Sequence, residues 1–346
     1  MNFKTILFSL SSLSLAQAGD TTTSPNSLAN IGADAYCFCP RADSHAPIGV
    51  MADHTHRKGE FMFSARTMFM RMEQNFMGTS SVSDQQVQAA GFGIVPADMD
   101  MQMHMLGLMY APSDRVTLMA MVSYVEMSMN HSYGPGLTNS FKTESVGWGD
   151  ASLLALVNLW HNDYANLHAG FGLLLPTAET DETDLIPPAG GVRRLPYPMQ
   201  LGSGSWGFAP SLTYNNQQPT WSYGAQASAK FLLDDNSQSY RLGDRYEATT
   251  WIAKPINDHF SASLRVKFSS WGDIDGADPL IMGPVPTTRA DLRGGSKFDL
   301  SAGVNFFEID NGLRAGLEVG KTLWQDLDGP QLGSDYWVSL GLQFSW

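Results

Sequence analysis

Segments of about ten residues in which apolar and polar side chains alternate recur along most of this chain. In the last one, the alternate positions of one face are Tyr336, Val338, Leu340, Leu342 and Phe344, and those of the other face are Trp337, Ser339, Gly341, Gln343 and Ser345. Because successive side chains of a strand point to opposite faces, this period of two predicts strands with one apolar and one polar face. About twelve such segments occur, and each is long enough to cross a bilayer as a tilted strand.

The composition of the two faces favours a membrane barrel over a secreted β-sandwich. A sandwich would carry a charged outer face, whereas only 16% of this chain is charged and soluble domains have about 25% charged residues. The polar faces are mainly Ser, Gly and Gln, which is typical of an aqueous lumen, and the apolar faces end in Trp or Tyr. We therefore predict an all-β fold, a transmembrane antiparallel β-barrel of about 12 strands over residues 60–346. Closure would also leave no exposed strand edge.

The connections and the chain end agree with this fold. Short turns at Ala111 to Asp114, Asp234 to Asn236 and Ile256 to Asp258 alternate with long polar segments, as in barrels with short periplasmic turns and long outer loops. The long loops are expected at 73–97, 130–144, 177–203, 272–295 and 324–334. The residues expected on the lipid side are Phe61, Phe63, Phe69, Leu118, Val122, Leu264, Val266, Leu340 and Leu342. The final Phe344-Ser345-Trp346 is the kind of aromatic end that we expect the barrel-assembly machinery to read.

The amino-terminal residues predict export. Residues 1–18 combine a basic start, an apolar run and the small-residue pattern Ala16-Gln17-Ala18, which is typical of a signal peptide cleaved near Ala18. Residues 19–59 show no strand or helix period and are expected to form an irregular leader or plug on the periplasmic side. The expected location is the outer membrane of a Gram-negative bacterium, with outer-membrane lipid as a partner. The net charge of −13 argues against a nucleic-acid partner.

Most of the 18 methionines lie between Glu60 and Met129 and occupy alternate positions of three consecutive predicted strands. In the third of these strands, Met119 and Met121 share a face with Thr117 and Ser123, and not with the apolar residues. The methionine face is therefore predicted to line the barrel interior.

Thioethers, imidazoles and thiolates together favour soft or borderline metals, copper above all. The hypothetical metal ligands are Cys37, Cys39, His45, His54, His56, Met101, Met103, His104, Met105, Met119, Met121, Met127, Met129 and His131. In this hypothesis the wall of sulfurs binds or passes copper, and the leader supplies an entry site. No cofactor beyond this copper is expected.

Two other hypotheses remain open from the residues alone. Methionine is a flexible filler of crowded interiors, so the wall could be packing in a structural barrel that transports nothing. A thioether wall is also apolar and polarisable, which suits a channel for small apolar or aromatic solutes. Whichever holds, Arg66, Lys230, Arg265, Lys267 and Arg314 fall on polar faces and are expected as lumen charges. No catalytic arrangement emerges, and we expect no enzymatic activity.

A series of short motifs resembles a known family. They are His45-Ala-Pro-Ile-Gly-Val-Met51, Asp53-His54-Thr55-His56, Lys58-Gly59-Glu60, Tyr110-Ala-Pro-Ser-Asp114, Leu118-Met119-Ala120-Met121, Gly147-Trp148-Gly149-Asp150, Leu175-Pro176-Thr177 and Gln200-Leu201-Gly202-Ser203-Gly204. Together they resemble the phenol-degradation MetA-type outer-membrane barrels, often labelled transporter, from about residue 45 to the end. The resemblance implies an outer-membrane location and a transport role, and it implies no catalytic residue.

Overall fold

The computed structural model describes residues 41–308 and 310–346. The strands are β1 (Phe61–Gly78), β2 (Ser80–Val82), β3 (Ile94–Ser113), β4 (Val116–Tyr133), β5 (Asn139–Trp148), β6 (Ala151–His161), β7 (Ala165–Leu175), β8 (Thr183–Ile186), β9 (Gly191–Arg194), β10 (Gly207–Gln218), β11 (Trp221–Leu232), β12 (Tyr240–Arg241), β13 (Arg245–Pro255), β14 (Phe260–Trp271), β15 (Asp275–Gly276), β16 (Gly295–Glu308) and β17 (Leu313–Ser345). The helices are α1 (Asp84–Ala89) and the short 3-10 turns Pro135–Leu137, Pro187–Ala189, Tyr197–Met199, Pro286–Thr288 and Ala290–Leu292. The predicted signal peptide with its cleavage site, Cys37 and Cys39 lie outside the described residues.

The long strands form one antiparallel sheet that closes on itself. Its order is β1-β3-β4-β6-β7-β10-β11-β13-β14-β16-β17, and β17 pairs with β1 as well as with β16. Strand β2 pairs with the end of β1. Strands β5 and β6 both pair with β4, β6 with its residues 116–121 and β5 with its residues 124–133, so together they make one crossing of the wall. At the closure, the backbone N–H groups of Phe61 and Trp346 each donate to the other residue's carbonyl at 3.0 Å. A closed ring leaves no long strand unpaired on either side.

Strand β17 is a hairpin that crosses the barrel wall twice. Its residues 313–327 pair with β16 and its residues 327–345 pair with β1. The two arms also meet each other, since the backbone N–H of Ser345 donates to the Gly312 carbonyl at 3.2 Å, and that of Ser334 donates to the Gln325 side chain. With both arms counted, the described chain crosses the wall twelve times. The prediction of an all-β antiparallel barrel of about 12 strands is therefore confirmed.

The two ends of the barrel differ in the length of their connections. Residues 114–115, 162–164, 219–220 and 256–259 make short turns at one end, and residues 310–312 lie at the same end before β17. The longer connections at the other end are 79–93, 134–138, 176–206, 233–244 and 272–294. The assignment of Asp234 to Asn236 as a short turn was wrong, because these residues begin a longer connection that includes β12. Residues 324–334 were expected to form a long loop, but they lie within β17, which pairs with β16 up to Leu327 and with β1 from Leu327 onward.

Residue parity separates the two faces of the wall as predicted. Phe63, Leu118, Leu264, Leu340 and Leu342 are between 43% and 56% exposed on the outside. Aromatic pairs lie near both ends of the strands, such as Phe61 with Tyr110 at 4.5 Å and Phe231 with Tyr246 at 5.8 Å between ring centroids. These pairs form the amphipathic girdles that suit membrane interfaces.

Within the described residues, no helix is both long enough and apolar enough to cross a membrane.

Candidate functional site

Residues 41–60, called the plug from here on, lie inside the barrel and contact most of its wall. Their backbone carbonyls accept hydrogen bonds from inward side chains of five strands. These bonds are Ser261 to Ala42, Ser222 to Asp43, Arg314 to Ala46, Gln226 to Met51, His168 to Ala52 and Asn215 to Asp53, with lengths from 2.6 to 3.0 Å. A buried backbone that forms neither helix nor sheet needs such partners. The polar lumen of the barrel supplies them.

The plug reverses direction at Ala52. This residue has a φ of 51°, in the left-handed region that costs a non-glycine residue free energy. Its carbonyl oxygen lies 3.0 Å from Nε2 of the buried His168, whose Nδ1 lies 3.1 Å from the Asn166 side chain. The turn brings the imidazole of His54 back against that of His45.

The inward methionines of β1, β3 and β4 form what we call the methionine wall. The methionines of β3 are paired in register with those of its two neighbours: Met99 with Met72 and Met129, Met101 with Met70 and Met127, Met103 with Met68, and Met109 with Met62 and Met119. Cα atoms of such partners lie about 4.5 to 5.5 Å apart. The methionine side chains are therefore stacked in adjacent rows, buried or half-buried, on one side of the lumen.

The methionine wall is covered at both ends. Towards the long connections, Leu195, Met199 and Leu201 of the 176–206 connection pack on Met99 and its neighbours. Towards the short turns, Met51 and Ala52 of the plug pack with Leu156 on the lower rows of the wall. The middle of the wall borders open space.

The opposite side of the lumen carries charges on β11, β13, β14, β16 and β17, which we call the charged wall. Arg265 Nε donates to Glu318 at 2.7 Å in a pair whose side chains are 4% and 1% exposed, and the guanidinium lies 5.3 Å over the Trp337 ring. Lys267 lies 3.8 Å from both Glu247 and Asp299. These carboxylates were absent from the predicted site. The sequence pattern did indicate Glu318, because it lies on the same polar face of its strand as Arg314.

The predicted lumen charges all point inward. Arg66 donates to the Val50 carbonyl at 3.2 Å and Arg314 to that of Ala46 at 2.9 Å. Lys230, Arg265 and Lys267 belong to the charged wall. Arg66 and Arg314 therefore bond directly to the plug backbone, and the other three line a cavity in the lumen.

Two cavities follow each other along the lumen and share Lys230 and Arg245. The outer one, of about 440 Å³, is lined by Met101, Met103 and Met127 on one side and by Lys230, Arg245 and Arg293 on the other. The inner one, of about 260 Å³, lies between plug residues 49–52 and the charged wall. The lumen is therefore open above the plug and narrowed where the plug crosses it.

Three imidazoles and two carboxylates form a continuous cluster in the plug. His45 Nδ1 lies 3.1 Å from His54 Nδ1, and His54 Nδ1 lies 2.8 Å from Asp53 Oδ1. On the far side of its ring, His54 Nε2 lies 3.2 Å from His56 Nε2, and His56 Nδ1 lies 3.4 Å from Glu60. Burial opposes ionisation of Asp53, but the His54 ring and the Ala46 N–H outweigh it and lower the pKa of this carboxyl below its ordinary value.

The hypothetical metal ligands fall into separate places. His45, His54 and His56 are together in the plug, while Met101, Met103, Met105, Met119, Met121, Met127 and Met129 are on the methionine wall. His131 is buried and stacked on Phe141 at 4.7 Å, beyond the last methionine row. His104 is removed from the set, because its side chain is on the outer face of β3, 3.0 Å from Thr67 Oγ1. The sequence already indicated this position, because His104 lies between Met103 and Met105 and therefore points to the opposite face of the strand.

Comparison with known proteins adds the following. A family profile described as "Putative MetA-pathway of phenol degradation" matches residues 83–279. The fold is similar to that of the COG4313 outer membrane channel from Pseudomonas putida F1, with 15% identity, a TM-score of 0.59, and coverage of 86% of this chain and 100% of that one. Weaker similarities are to a Pseudomonas aeruginosa FadL homologue (11% identity, TM-score 0.41, 83% and 90% covered) and to the translocator domain of autotransporter NalP from Neisseria meningitidis (9%, 0.43, 84% and 90%). No curated protein matches the chain.

Proposed function

This chain belongs to the outer-membrane β-barrel family described as putative MetA-pathway of phenol degradation, and from that premise we propose that it is a passive channel for small aromatic solutes that carry an anionic or hydroxyl group. The observation that carries the proposal is the two-sided outer cavity, with thioethers on one side and Lys230, Arg245 and Arg293 on the other. Methionine accommodates aromatic rings of varied shape. The cations favour a negative or electron-rich polar group.

The size and position of the cavities support this substrate class. A cavity of about 440 Å³ is within the range of small-molecule sites. It continues into the smaller cavity at the plug through the shared side chains Lys230 and Arg245. The family description and the printed title "outer membrane channel" of the similar structure from Pseudomonas putida F1 point the same way.

The test is charge-selective flux in liposomes that contain the purified protein. We expect benzenesulfonate to pass faster than phenyltrimethylammonium, two ions that cross a bare bilayer poorly. Lys230→Gln removes one positive charge that lines both cavities. A unit charge about 6 Å from a solute ion in water changes the energy of that ion by about 0.7 kcal/mol. Because the substitution weakens the attraction of the anion and the repulsion of the cation by the same amount, the anion-to-cation flux ratio should fall about tenfold.

Lys254→Gln is the matched control, because Lys254 is exposed on the outer face of β13. It should leave the flux ratio unchanged. Equal fluxes of the two ions in the wild-type protein, or equal effects of the two substitutions, would contradict the proposal.

Copper handling is a second candidate, favoured by the register of the methionine wall. Rows such as Met72, Met99 and Met129 supply several thioethers to one region, and thioethers prefer Cu(I). Titration with Cu(I) against a competing chelator should show at least tenfold weaker binding in the double variant Met99→Leu, Met129→Leu. Met282→Leu, at a residue that is 76% exposed, should bind like the wild type. Equal affinity in all three proteins would leave the wall as packing in a structural barrel.

Export and assembly complete the proposal. We propose cleavage near Ala18 and recognition of the last strand by the barrel-assembly machinery, and we ascribe no catalytic activity to the chain. The last strand is suited to recognition because Phe344 is 42% exposed on the lipid side and Trp346 is stacked on Phe61 at 5.9 Å.

A further inference from the structure

The histidine cluster of the plug has the geometry of a metal centre with an open side. The ligand atoms of His45, Asp53 and His54 all lie within 4.8 Å of one another. The separations are 3.1 Å between the two Nδ1 atoms, 2.8 Å from His54 Nδ1 to Asp53 Oδ1, and 3.7 Å from His45 Nδ1 to Asp53 Oδ2. Atoms bound to one tetrahedral ion at zinc-like distances are about 3.3 to 3.5 Å apart. The three observed separations bracket that value.

The hydrogen on one nitrogen has to serve two neighbouring groups in this cluster. His54 Nδ1 has at most one hydrogen, which the Asp53 carboxylate accepts at 2.8 Å. His54 Nδ1 then has no lone pair to offer His45 Nδ1, which lies 3.1 Å away. A single cation between the groups would accept a lone pair from each of them.

The surroundings provide the support that metal ligands usually have. The backbone N–H of Ala46 donates to Asp53 Oδ2 at 2.9 Å and fixes the carboxylate. The second nitrogen of His54 meets His56, which in turn meets Glu60; ligating histidines usually hold such a partner on their other nitrogen. The Asp53 and His54 side chains are 5% and 8% exposed, but that of His45 is 22% exposed, so one coordination position faces open space.

We infer that His45, Asp53 and His54 bind one divalent first-row transition-metal ion, with His56 and Glu60 orienting His54. Two imidazoles and a carboxylate suit Zn²⁺, Ni²⁺ and Cu²⁺. The ion would join two ends of the plug loop, nine residues apart, on either side of the left-handed Ala52. It would thereby hold the plug in its folded form.

The experiment measures metal binding in the full exported chain, made without a polyhistidine tag, purified in detergent and stripped with a chelator. Zn²⁺ and Cu²⁺ are titrated separately against a chromophoric competitor, and bound metal is counted by elemental mass spectrometry. We expect one ion per chain in the wild type and loss of that ion in Asp53→Asn and in His45→Ala. His56→Gln should weaken binding by about 10- to 100-fold.

The controls separate this site from other ligands. His104→Ala alters a histidine on the outer face and should bind like the wild type. Replacing Cys37 and Cys39 by serine should also leave the ion bound. Because His45 is partly exposed, His45→Ala is expected to keep the heat-modifiable gel mobility of a folded barrel. No ion in the wild type, or the same affinity in folded His45→Ala and Asp53→Asn, would overturn the inference, whatever solute the channel conducts.

Discussion

At the scale of single residues, the buried ion pair of Arg265 and Glu318 joins the barrel wall to the plug. Glu318 accepts from Arg265 at 2.7 Å through Oε1 and from the backbone N–H of Gly49 at 2.6 Å through Oε2. A Cβ added at Gly49 would lie 2.4 Å from both Arg265 and Glu318. The plug therefore fits against this pair only because residue 49 is glycine.

Glu318→Gln should destabilise the barrel, because it leaves the Arg265 charge buried without its counter-ion. Breaking a buried pair by removing one partner costs about 3 to 5 kcal/mol. We expect a lower urea midpoint for loss of heat-modifiable gel mobility.

Two further variants are the controls. The double variant Arg265→Met, Glu318→Leu should recover much of the lost stability. Asp291→Asn, in a pair with both side chains more than half exposed, should leave the midpoint unchanged. A Glu318→Gln midpoint equal to that of the wild type would mean that the pair contributes no stability.

At the scale of elements, the sequence predicted the strands and their faces but not their partners. Alternation depends on neighbours in the chain, so it located the strands and assigned Met119 and Met121 to the lumen. Register depends on which strands meet and on bulges such as that between Tyr110 and Ser113. The in-register rows of the methionine wall could therefore not be derived from parity alone.

Contacts within the plug could not be predicted from the sequence either, because this segment shows no strand or helix period. The sequence marked His45, His54 and His56 as metal ligands, but it gave no reason for His45 and His54 to meet. Their contact depends on the left-handed turn at Ala52 and on lumen side chains such as His168 and Asn215, which lie more than a hundred residues away in the chain. Long-range hydrogen bonds of this kind leave no local pattern.

At the scale of the whole molecule, the barrel closes without help from the plug. The ring of strand pairs runs from β1 through β16 to β17 and back to β1. The contacts between plug and wall include hydrogen bonds from wall side chains to the plug backbone and apolar packing on the methionine wall. The closed ring of strands therefore does not depend on the plug for its strand pairing.

Deleting residues 41–58 should therefore leave a folded barrel with a wider lumen. Water can hydrate the freed side chains of Arg314, Asn215 and Ser261, because the lumen opens to solvent once the plug is absent. We expect heat-modifiable mobility to persist and single-channel conductance in planar bilayers to rise several-fold with an anion preference, since the basic side chains of the charged wall are then exposed. A variant in which a Gly/Ser segment of equal length replaces residues 41–58 controls for the tether, and it should conduct like the deletion. An unfolded product would show that the plug is part of the folding core. A conductance equal to that of the intact chain would show that the plug does not limit passage.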